Sequence, residues 1–459
     1  MTIKTEGKAP SESSRRAFLA ASGGAAFAFT IVPRHVLGGP GYLPPSERVN
    51  VAGIGAGGMG GGDIATHAKN GANIVALCDV DDNAGAFKSF PKAKRYRDFR
   101  ELIDKEAKNI DAVTVGTPDH IHAVASMAAI KAGKHVYCQK PLTHTLHECR
   151  ELTRAAKAAG VMTQMGNQGH ATEGSRLTNE WIQAGVIGDV REVHVWSDRA
   201  GRLWKQGIDR PKETPPVPST FDWDLWLGPI HERPYNPIYA PQGWRGWRDF
   251  GTGALGDMGC HIIDHPVWAL GLGAPTSVEA STTLDGSFRA DNTPNFETFP
   301  IASIITYEFP ARGSLPPVKM TWYEGGLMPP TPSEMPPGGR LDGNGVLYVG
   351  SKGKMHHGSH GGMPQLLPLA LHEQARTVSK TMARSPGHYE EWLLACKGGP
   401  RPVSNFEYSG PLTEIVLLGV LALRAPGKRL EWDRANLKVK NVPEVNQYVH
   451  TEYRKGWTL

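Results

Sequence analysis

Six residues, Gly55-Ala56-Gly57-Gly58-Met59-Gly60, follow directly on a short apolar run, Arg48 to Ile54 (RVNVAGI), and precede a stretch from Asp63 to Asn70 that reads as helix. Gly-x-Gly-x-x-Gly in strand, turn, helix order constrains the fold because glycine is required for three reasons. The turn is tight, a pyrophosphate must approach bare backbone, and the helix must pack close to the strand with its first N–H groups toward the phosphates. The next apolar run, Asn73 to Cys78, ends at Asp79, nineteen residues after Gly60, where a carboxylate can accept hydrogen bonds from ribose hydroxyls. Asp79 also repels a 2′-phosphate, and the two positions after it, Val80 and Asp81, carry no arginine. NAD is therefore expected rather than NADP.

The alternation continues with strands at Asp111 to Val115, His135 to Cys138 and Val161 to Met165, and helices at His120 to Ala132 and Leu146 to Ala159. Repeated strand and helix predicts a doubly wound parallel sheet, in which ligands bind beyond the carboxyl ends of the strands. Three such ends carry polar clusters: Thr117-Pro118-Asp119-His120-Ile121-His122, Gln139-Lys140-Pro141, and Gly166-Asn167-Gln168. A lysine between a buried strand and a proline has little purely structural use, so Lys140 is the strongest functional candidate of the three.

At 459 residues the chain is long enough for two or three domains. Fifty Lys+Arg against 45 Asp+Glu leave a net +5 spread along the sequence, with no basic arm for nucleic acid. The five cysteines, Cys78, Cys138, Cys149, Cys260 and Cys396, include no Cys-x-x-Cys and read as buried thiols. At the amino terminus Ser14-Arg15-Arg16-Ala17-Phe18-Leu19 precedes Ala20 to Val32, a weakly apolar, glycine-diluted stretch without acidic residues. That is the layout of a twin-arginine export signal, with Ala26-Phe27-Ala28 as a small-x-small cleavage site; an uncleaved anchor is the alternative. The expected organisation is a signal over 1–35, a Gly/Pro linker over 36–47, a dinucleotide-binding domain over 48–170 and a second domain over 171–459.

Gly55 to Gly60, Cys78-Asp79-Val80, Thr117 to His122 and Gln139-Lys140-Pro141-Leu142, in that order and spacing, resemble the Gfo/Idh/MocA family of sugar oxidoreductases. The resemblance extends to Trp244-Arg245 and to Gly251-Thr252-Gly253-Ala254-Leu255-Gly256-Asp257-Met258-Gly259-Cys260-His261-Ile262-Ile263-Asp264, similar to that family's Asp-x-Gly-x-His-x-x-Asp signature. It implies a Rossmann domain followed by an α/β domain with a large, mostly antiparallel open sheet that supplies the substrate pocket and an oligomer interface. It also implies Lys140 and His261 as the catalytic pair. The residues expected at the cofactor are Gly55, Gly57, Gly58, Met59, Gly60, Asp79, Thr117, Pro118, His120, His122, Gln139, Lys140, Asn167, Trp244 and Arg245. Where the family has Glu-Lys-Pro this chain has Gln139, so Lys140 is expected to lack an adjacent anion.

Read as one helix, Ala254 to Leu270 sets Asp257 and His261 on one face at i and i+4, with Asp264 or His265 a turn further. Asp257 can orient His261 or bind substrate, His261 can take a proton from a hydroxyl, and Lys140 can stabilise developing alkoxide. A metal held by Asp257, His261 and His265 is the weaker reading. Eight of the twelve tryptophans fall between Trp181 and Trp268, with Arg199, Arg202, Arg245 and Arg248 near them, a composition suited to a carbohydrate pocket. Phe309 to Gly339, with eight prolines, reads as a long loop, and Leu430 to Leu459 as a tail wrapping the Rossmann domain or a neighbouring subunit.

The leading expectation is a periplasmic NAD-dependent oxidoreductase acting on a sugar, glycoside or polyol, homo-oligomeric and delivered by the twin-arginine machinery. Outside the cytoplasm there is no free nicotinamide pool, so the cofactor is expected to stay tightly bound and to be recycled in place, as in the related glucose–fructose oxidoreductase. The alternatives are an NAD-dependent glycosidase or lyase working through transient oxidation of a ring hydroxyl, and a non-catalytic sugar-binding protein that retains NAD.

Overall fold

The structure, a computed structural model, describes residues 47–283 and 296–459. The twin-arginine stretch and the linker up to residue 46 lie outside the described residues, and Val49–Leu459 forms one compact unit.

The chain runs β1 (Asn50–Ile54), α1 (Gly58–Lys69), β2 (Asn73–Cys78), α2 (Gly85–Ser89), β3 (Lys94–Tyr96), α3 (Phe99–Glu106), β4 (Ala112–Val115), α4 (Asp119–Lys131), β5 (His135–Cys138), α5 (Leu146–Ala159) and β6 (Thr163–Met165). All six strands pair parallel in the order β3-β2-β1-β4-β5-β6. The strand order reverses between β1 and β4, which makes their carboxyl ends the ligand-binding crevice of such a sheet. Helix α5 has the strongest local signals: Thr145 and Glu148 form a capping box, and Gly160 ends the helix at φ 66. Helix α1 starts at Gly58, inside the glycine motif and earlier than the polar Asp63 suggests, because Gly57 serves as N-cap without a side chain. The short elements α2, β3 and α3 fill residues 85–106, which carry little periodicity; α3 buries Phe99, Leu102 and Ile103.

Close backbone approach explains the third glycine of the motif. A Cβ on Gly60 would lie 2.2 Å from the Gly55 carbonyl oxygen and 3.0 Å from that of Gly116, so α1 can sit on β1 and β4 only with a bare Cα there.

The second part comprises α6 (Glu173–Gln183), β7 (Val190–Ser197), α7 (Trp223–Leu227), α8 (Gly253–Ile262), α9 (Asp264–Ala269), β8 (Ser277–Thr282), β9 (Ser303–Phe309), β10 (Val318–Glu324), β11 (Asn344–Gly350), β12 (Lys354–Gly358), β13 (Gln365–Leu367), α10 (Leu371–Arg376), α11 (His388–Cys396), α12 (Phe406–Ala422), β14 (Leu430–Asp433) and β15 (Lys438–Val439). Its sheet runs β13-β12-β11-β7-β10-β9-β8-β14-β15 and is antiparallel except for β7 with β10. The fold class is thus α/β, with a parallel Rossmann sheet followed by a mostly antiparallel one.

Two expectations are corrected. The proline-rich stretch 309–339 is not one loop, since β10 occupies its middle and lies between β7 and β9; Pro316-Pro317 and Gly325-Gly326 bracket a strand that is largely buried. The helix read over Ala254 to Leu270 is two helices with a break at Ile263. Pro266, with no N–H to offer the Ile262 carbonyl, sits in the first turn of α9, where a missing donor costs nothing.

Late segments return to the Rossmann sheet. Trp392 and Leu393 of α11 join Val49, Val51, Ala72, Ala112 and Tyr137 in one apolar cluster. The carboxy-terminal tail wraps the same half: Trp457 packs on Phe99 (centroids 5.9 Å apart), Tyr453 donates to Glu148 and Lys131 donates to the Leu459 carbonyl at 2.8 Å. The five cysteines are unpaired, and all but Cys396 are buried.

Gly60→Ala is expected to lower the unfolding free energy by about 1–3 kcal/mol through overpacking. Gly62→Ala, whose Cβ would meet nothing within 4 Å on the exposed face of α1, is expected to leave it unchanged or raise it by up to about 1 kcal/mol. Urea unfolding of the two variants decides whether close packing or glycine content as such matters here.

Candidate active site

A cavity of about 610 Å³ runs along the carboxyl ends of the Rossmann strands and is closed by segments of the second part. Asp79 after β2 and Lys140 after β5 mark its length, three strand spacings or roughly 14 Å apart.

At the β2 end the Asp79 carboxylate accepts from the N–H groups of Ala56 (2.7 Å), Gly57 (3.1 Å) and Asp81 (3.0 Å). It therefore fastens the glycine turn to β2, a task not foreseen from sequence; burial pushes its carboxyl up, against those N–H donors. Phe99, Arg97 and Trp457 line the same end. In the middle lie Gly55, Gly57, Gly58, Met59, Thr117, Pro118 and His122. Gly55 has φ 84, and a Cβ there would lie 2.6 Å from the Gly116 backbone. The first turn of α1 has neither an acidic residue nor a side-chain cap. A tight glycine cradle and an uncapped helix start facing one long cavity fit a dinucleotide.

His122 is nearly inaccessible, yet its ring nitrogens lie 2.7 Å from the Pro141 carbonyl and 2.8 Å from that of Thr117. Burial opposes charge, but Cys138, then Asp119 and the Pro141 carbonyl outweigh it and push the imidazole up to about 9. A cationic ring donating to both carbonyls ties the β4 turn to the segment that carries Lys140.

At the β5 end stand Gln139, Lys140, Gln168, Arg199, Trp204, Trp244, Arg245, Asp257, His261 and His360. Lys140 Nζ donates to Asp257 Oδ1 and to the Asp257 carbonyl, both at 2.8 Å. An ammonium has three N–H donors, so one is left for a ligand. Arg245 Nε reaches Asp257 Oδ1 at 3.0 Å and an Arg199 Nη reaches Oδ2 at 3.4 Å. Burial works against ionising Asp257, but Lys140 and Arg245, with Arg199, hold its carboxyl well below the usual range. The expectation that Lys140 lacks an anion is corrected: Asp257 supplies it from α8. Gln139 instead donates to buried Asp63 at 2.7 Å, which Tyr389 also meets at 2.7 Å; burial pushes Asp63 up to about 6.

His261, one turn after Asp257, is 5 % exposed. Burial first, then the charges of Lys140 and His360, hold its imidazole well below the ordinary histidine value, so it is neutral at pH 7. Its Nδ1 is sealed without a partner, leaving Nε2 toward the cavity. His360 packs against it with ring centroids 4.0 Å apart. His360 has φ 58, and the loop carrying it lies directly on Gly169 and Gly174, where a Cβ would come within 2.5 Å of its backbone. Only that long-range packing sets His360 in the site, so local pattern does not reveal it.

Several expected residues lie elsewhere. Gly60 is beneath the turn as a packing contact, and His120 is buried between the Trp226 (2.9 Å) and Phe250 (3.2 Å) carbonyls. Asn167 is buried with its Oδ1 accepting from Ser404. His265 lies 3.3 Å from Ser175 Oγ and Asp264 bonds His170 and Tyr408, so neither joins Asp257 and His261. Of the tryptophans between 181 and 268, Trp204, Trp226 and Trp244 line the cavity, whereas Trp223 and Trp247 belong to an aromatic cluster next to it. Arg248 donates to the Thr298 carbonyl in the interior and Arg202 pairs with Asp198 at the surface.

Comparison with known proteins agrees with this fold. The family model described as an oxidoreductase family with NAD-binding Rossmann fold matches residues 49–167. That of the same family's C-terminal alpha/beta domain matches 174–287, and the two together take in a little over half of the chain. Levoglucosan dehydrogenase of Pseudarthrobacter phenanthrenivorans is 26% identical over 212 residues, 46% of this chain and 45% of that one. Inositol 2-dehydrogenase of Klebsiella pneumoniae is 37% identical over 141 residues, 29% of this chain and 41% of that one. The chain thus spans about half the length, or less, of these curated relatives. Among solved structures, levoglucosan dehydrogenase in complex with NADH and L-sorbose matches with TM-score 0.57 at 18% identity, over 85% of this chain and 100% of that one. An inositol dehydrogenase homolog from Azotobacter vinelandii, complexed with NADH and myo-inositol, matches at TM-score 0.53 and 18% identity, over 84% and 98%. At such identities the likeness concerns the fold.

Asp257→Asn leaves Lys140, Arg199 and Arg245 around a neutral amide. The expected cost is about 3 kcal/mol of unfolding free energy, the usual penalty for breaking a buried pair. A loss under about 1 kcal/mol in denaturant unfolding means that other groups balance these cations.

Proposed function

On the premise that the chain belongs to the Gfo/Idh/MocA oxidoreductase family, with its NAD-binding Rossmann domain, we propose that it oxidises a secondary hydroxyl of a sugar, glycoside or polyol. The observation that carries this reading is the group at the β5 end of the cavity: a lysine with a donor to spare, a buried carboxylate that binds it, and a neutral imidazole one turn away.

NAD supplies the hydride acceptor when bound, with Gly55, Gly57, Gly58, Met59, Asp79, Thr117, Pro118 and Gln139 as the residues to hold it. His261 takes the hydroxyl proton at Nε2, which its neutral state allows. Lys140 directs its remaining N–H at the same oxygen and stabilises negative charge as it develops there. Asp257 keeps Lys140 aimed by accepting two of its N–H groups through side chain and carbonyl. Trp204 lines this end as an aromatic wall for sugar C–H groups, and His360 and Arg199 close the rim. The names of relatives, levoglucosan dehydrogenase and inositol 2-dehydrogenase, support a carbohydrate or cyclic polyol as the substrate class.

The proposal includes the compartment. Ser14-Arg15-Arg16 and the weakly apolar stretch to Val32 support export of the folded protein by the twin-arginine route to the periplasm, as a homo-oligomer that retains its nicotinamide and recycles it in place with a second carbonyl substrate.

Purified protein is expected to release NAD on denaturation and, before that, to show nicotinamide reduction when given its sugar without added cofactor. Lys140→Ala and His261→Ala are expected to lower kcat by roughly 10²–10⁴ with the dinucleotide still bound. Absence of any dinucleotide, bound or taken up, overturns the reading. Because His261 lies well below the ordinary histidine range, kcat/KM is expected to stay level as pH falls from about 8 through about 6.5, the unshifted histidine value. A loss centred near 6.5 means that burial and the neighbouring charges do not hold His261 below the ordinary histidine value.

A further inference from the structure

The reacting end of the cavity carries more positive charge than a neutral sugar needs. Lys140, Arg199 and Arg245 all converge on one carboxylate, Asp257, and two imidazoles, His261 and His360, stand beside them without adding negative charge. The other carboxylates of the cavity are engaged elsewhere: Asp119 accepts from Thr252, Asp98 pairs with Arg100, and Asp79 and Asp81 belong to the β2 end. Three cations against one anion leave two positive charges in a partly closed space, where Lys140 and Asp257 are only 10 % and 5 % exposed.

The two guanidinium groups are also incompletely used. Arg245 meets Asp257 through Nε, stacks its plane 4.2 Å from the centroid of Trp244, and keeps its two terminal nitrogens unengaged. Arg199 touches Asp257 through one terminal nitrogen only, at 3.4 Å, and its side chain is 34 % exposed to the cavity. A guanidinium fork presents paired N–H donors to two oxygens of one group, and an anionic group adds to that match the charge that a pair of neutral hydroxyls lacks. Arg199 follows β7 and His360 follows β12, so this edge is built by the second sheet, away from the glycine cradle of the Rossmann half. That separates it from the place where pyrophosphate charge is met.

Resting on the oxidoreductase reading above, we infer that the substrate is an anionic carbohydrate, a sugar bearing a carboxylate or phosphate group, which the open fork of Arg199 binds on the rim beside His360. The anion offsets the surplus charge that Asp257 leaves, and it fixes which hydroxyl faces Lys140 and His261. Arg199 is in this account a specificity residue.

The test measures binding by calorimetry on dinucleotide-loaded protein, apart from turnover, with sets of one parent sugar as the neutral glycoside, the uronate and the sugar phosphate. The expected result is that an anionic member of at least one set binds tenfold or more tighter than its neutral counterpart and weakens with ionic strength, as a partly exposed ion pair does. Which anionic member binds identifies the group. Arg199→Gln is expected to cut that preference at least tenfold, and Arg199→Lys to restore part of it, which separates a lost ligand from a lost fold. If neutral sugars bind and reduce the nicotinamide as well as the anionic ones in every set, the inference falls while the oxidoreductase reading stands. If anionic sugars bind through Arg199 yet no member reduces the nicotinamide, the anion site at Arg199 stands and that reading falls. Equal loss of neutral and anionic binding in Arg199→Gln also overturns the inference, leaving Arg199 as a support for Asp257.

Discussion

One buried carboxylate ties together the reacting groups that the two halves of this protein contribute. Asp257 sits in α8 and takes a lysine from the end of a Rossmann strand, one arginine from the segment after β7 and another from the turn at Arg245. Desolvation alone would drive the carboxyl neutral, and it stays ionised only because those cations arrive together. The aim of Lys140, the orientation of Arg199 and the electrostatic setting of His261 all depend on this one charge, so the geometry of the site requires correct docking of sheet against sheet.

The parts of the architecture that are local in sequence are legible in it. Gly55 to Gly60 with Asp79 carries its own strand, turn and helix context, and the i, i+4 spacing of Asp257 and His261 needs only one unbroken turn, so it survives the break at Ile263. What escapes is what distant segments supply. The anion for Lys140 is 117 residues away in sequence, and His360 owes its place to a loop seated on Gly169 and Gly174. Strand β10 is hidden because prolines and glycines on both sides imitate a continuous loop. His120 and Asn167 show the converse: polar residues at strand ends suggest ligand contact, yet their side chains satisfy buried carbonyls and a serine hydroxyl.

The glutamine at position 139 does not leave the site without negative charge. It leaves two carboxylates with different tasks. Asp257, among cations, is firmly ionised, while Asp63, held by Gln139 and Tyr389 and pushed up to about 6, lies behind the strand end in an apolar setting. Because an Asp with a raised pKa binds its proton more tightly in the folded state, Asp63 favours folding most below about pH 4, and that contribution is lost as pH rises through about 6. Asp257 of α8 meets Lys140 directly, while Asp63 acts on it from behind the strand end.

Helix α11 packs against the first sheet and Trp457 of the tail against α3 of the same half, although both lie more than two hundred residues downstream. The nucleotide-binding half is accordingly discontinuous along the gene. Recombination that exchanged residues 48–170 as one cassette would separate Tyr137 and Val51 from Trp392, and Phe99 from Trp457. Inheritance of such a unit requires both ends of the coding sequence to travel together, so its lineage is expected to diversify by loop change within an intact chain rather than by domain exchange.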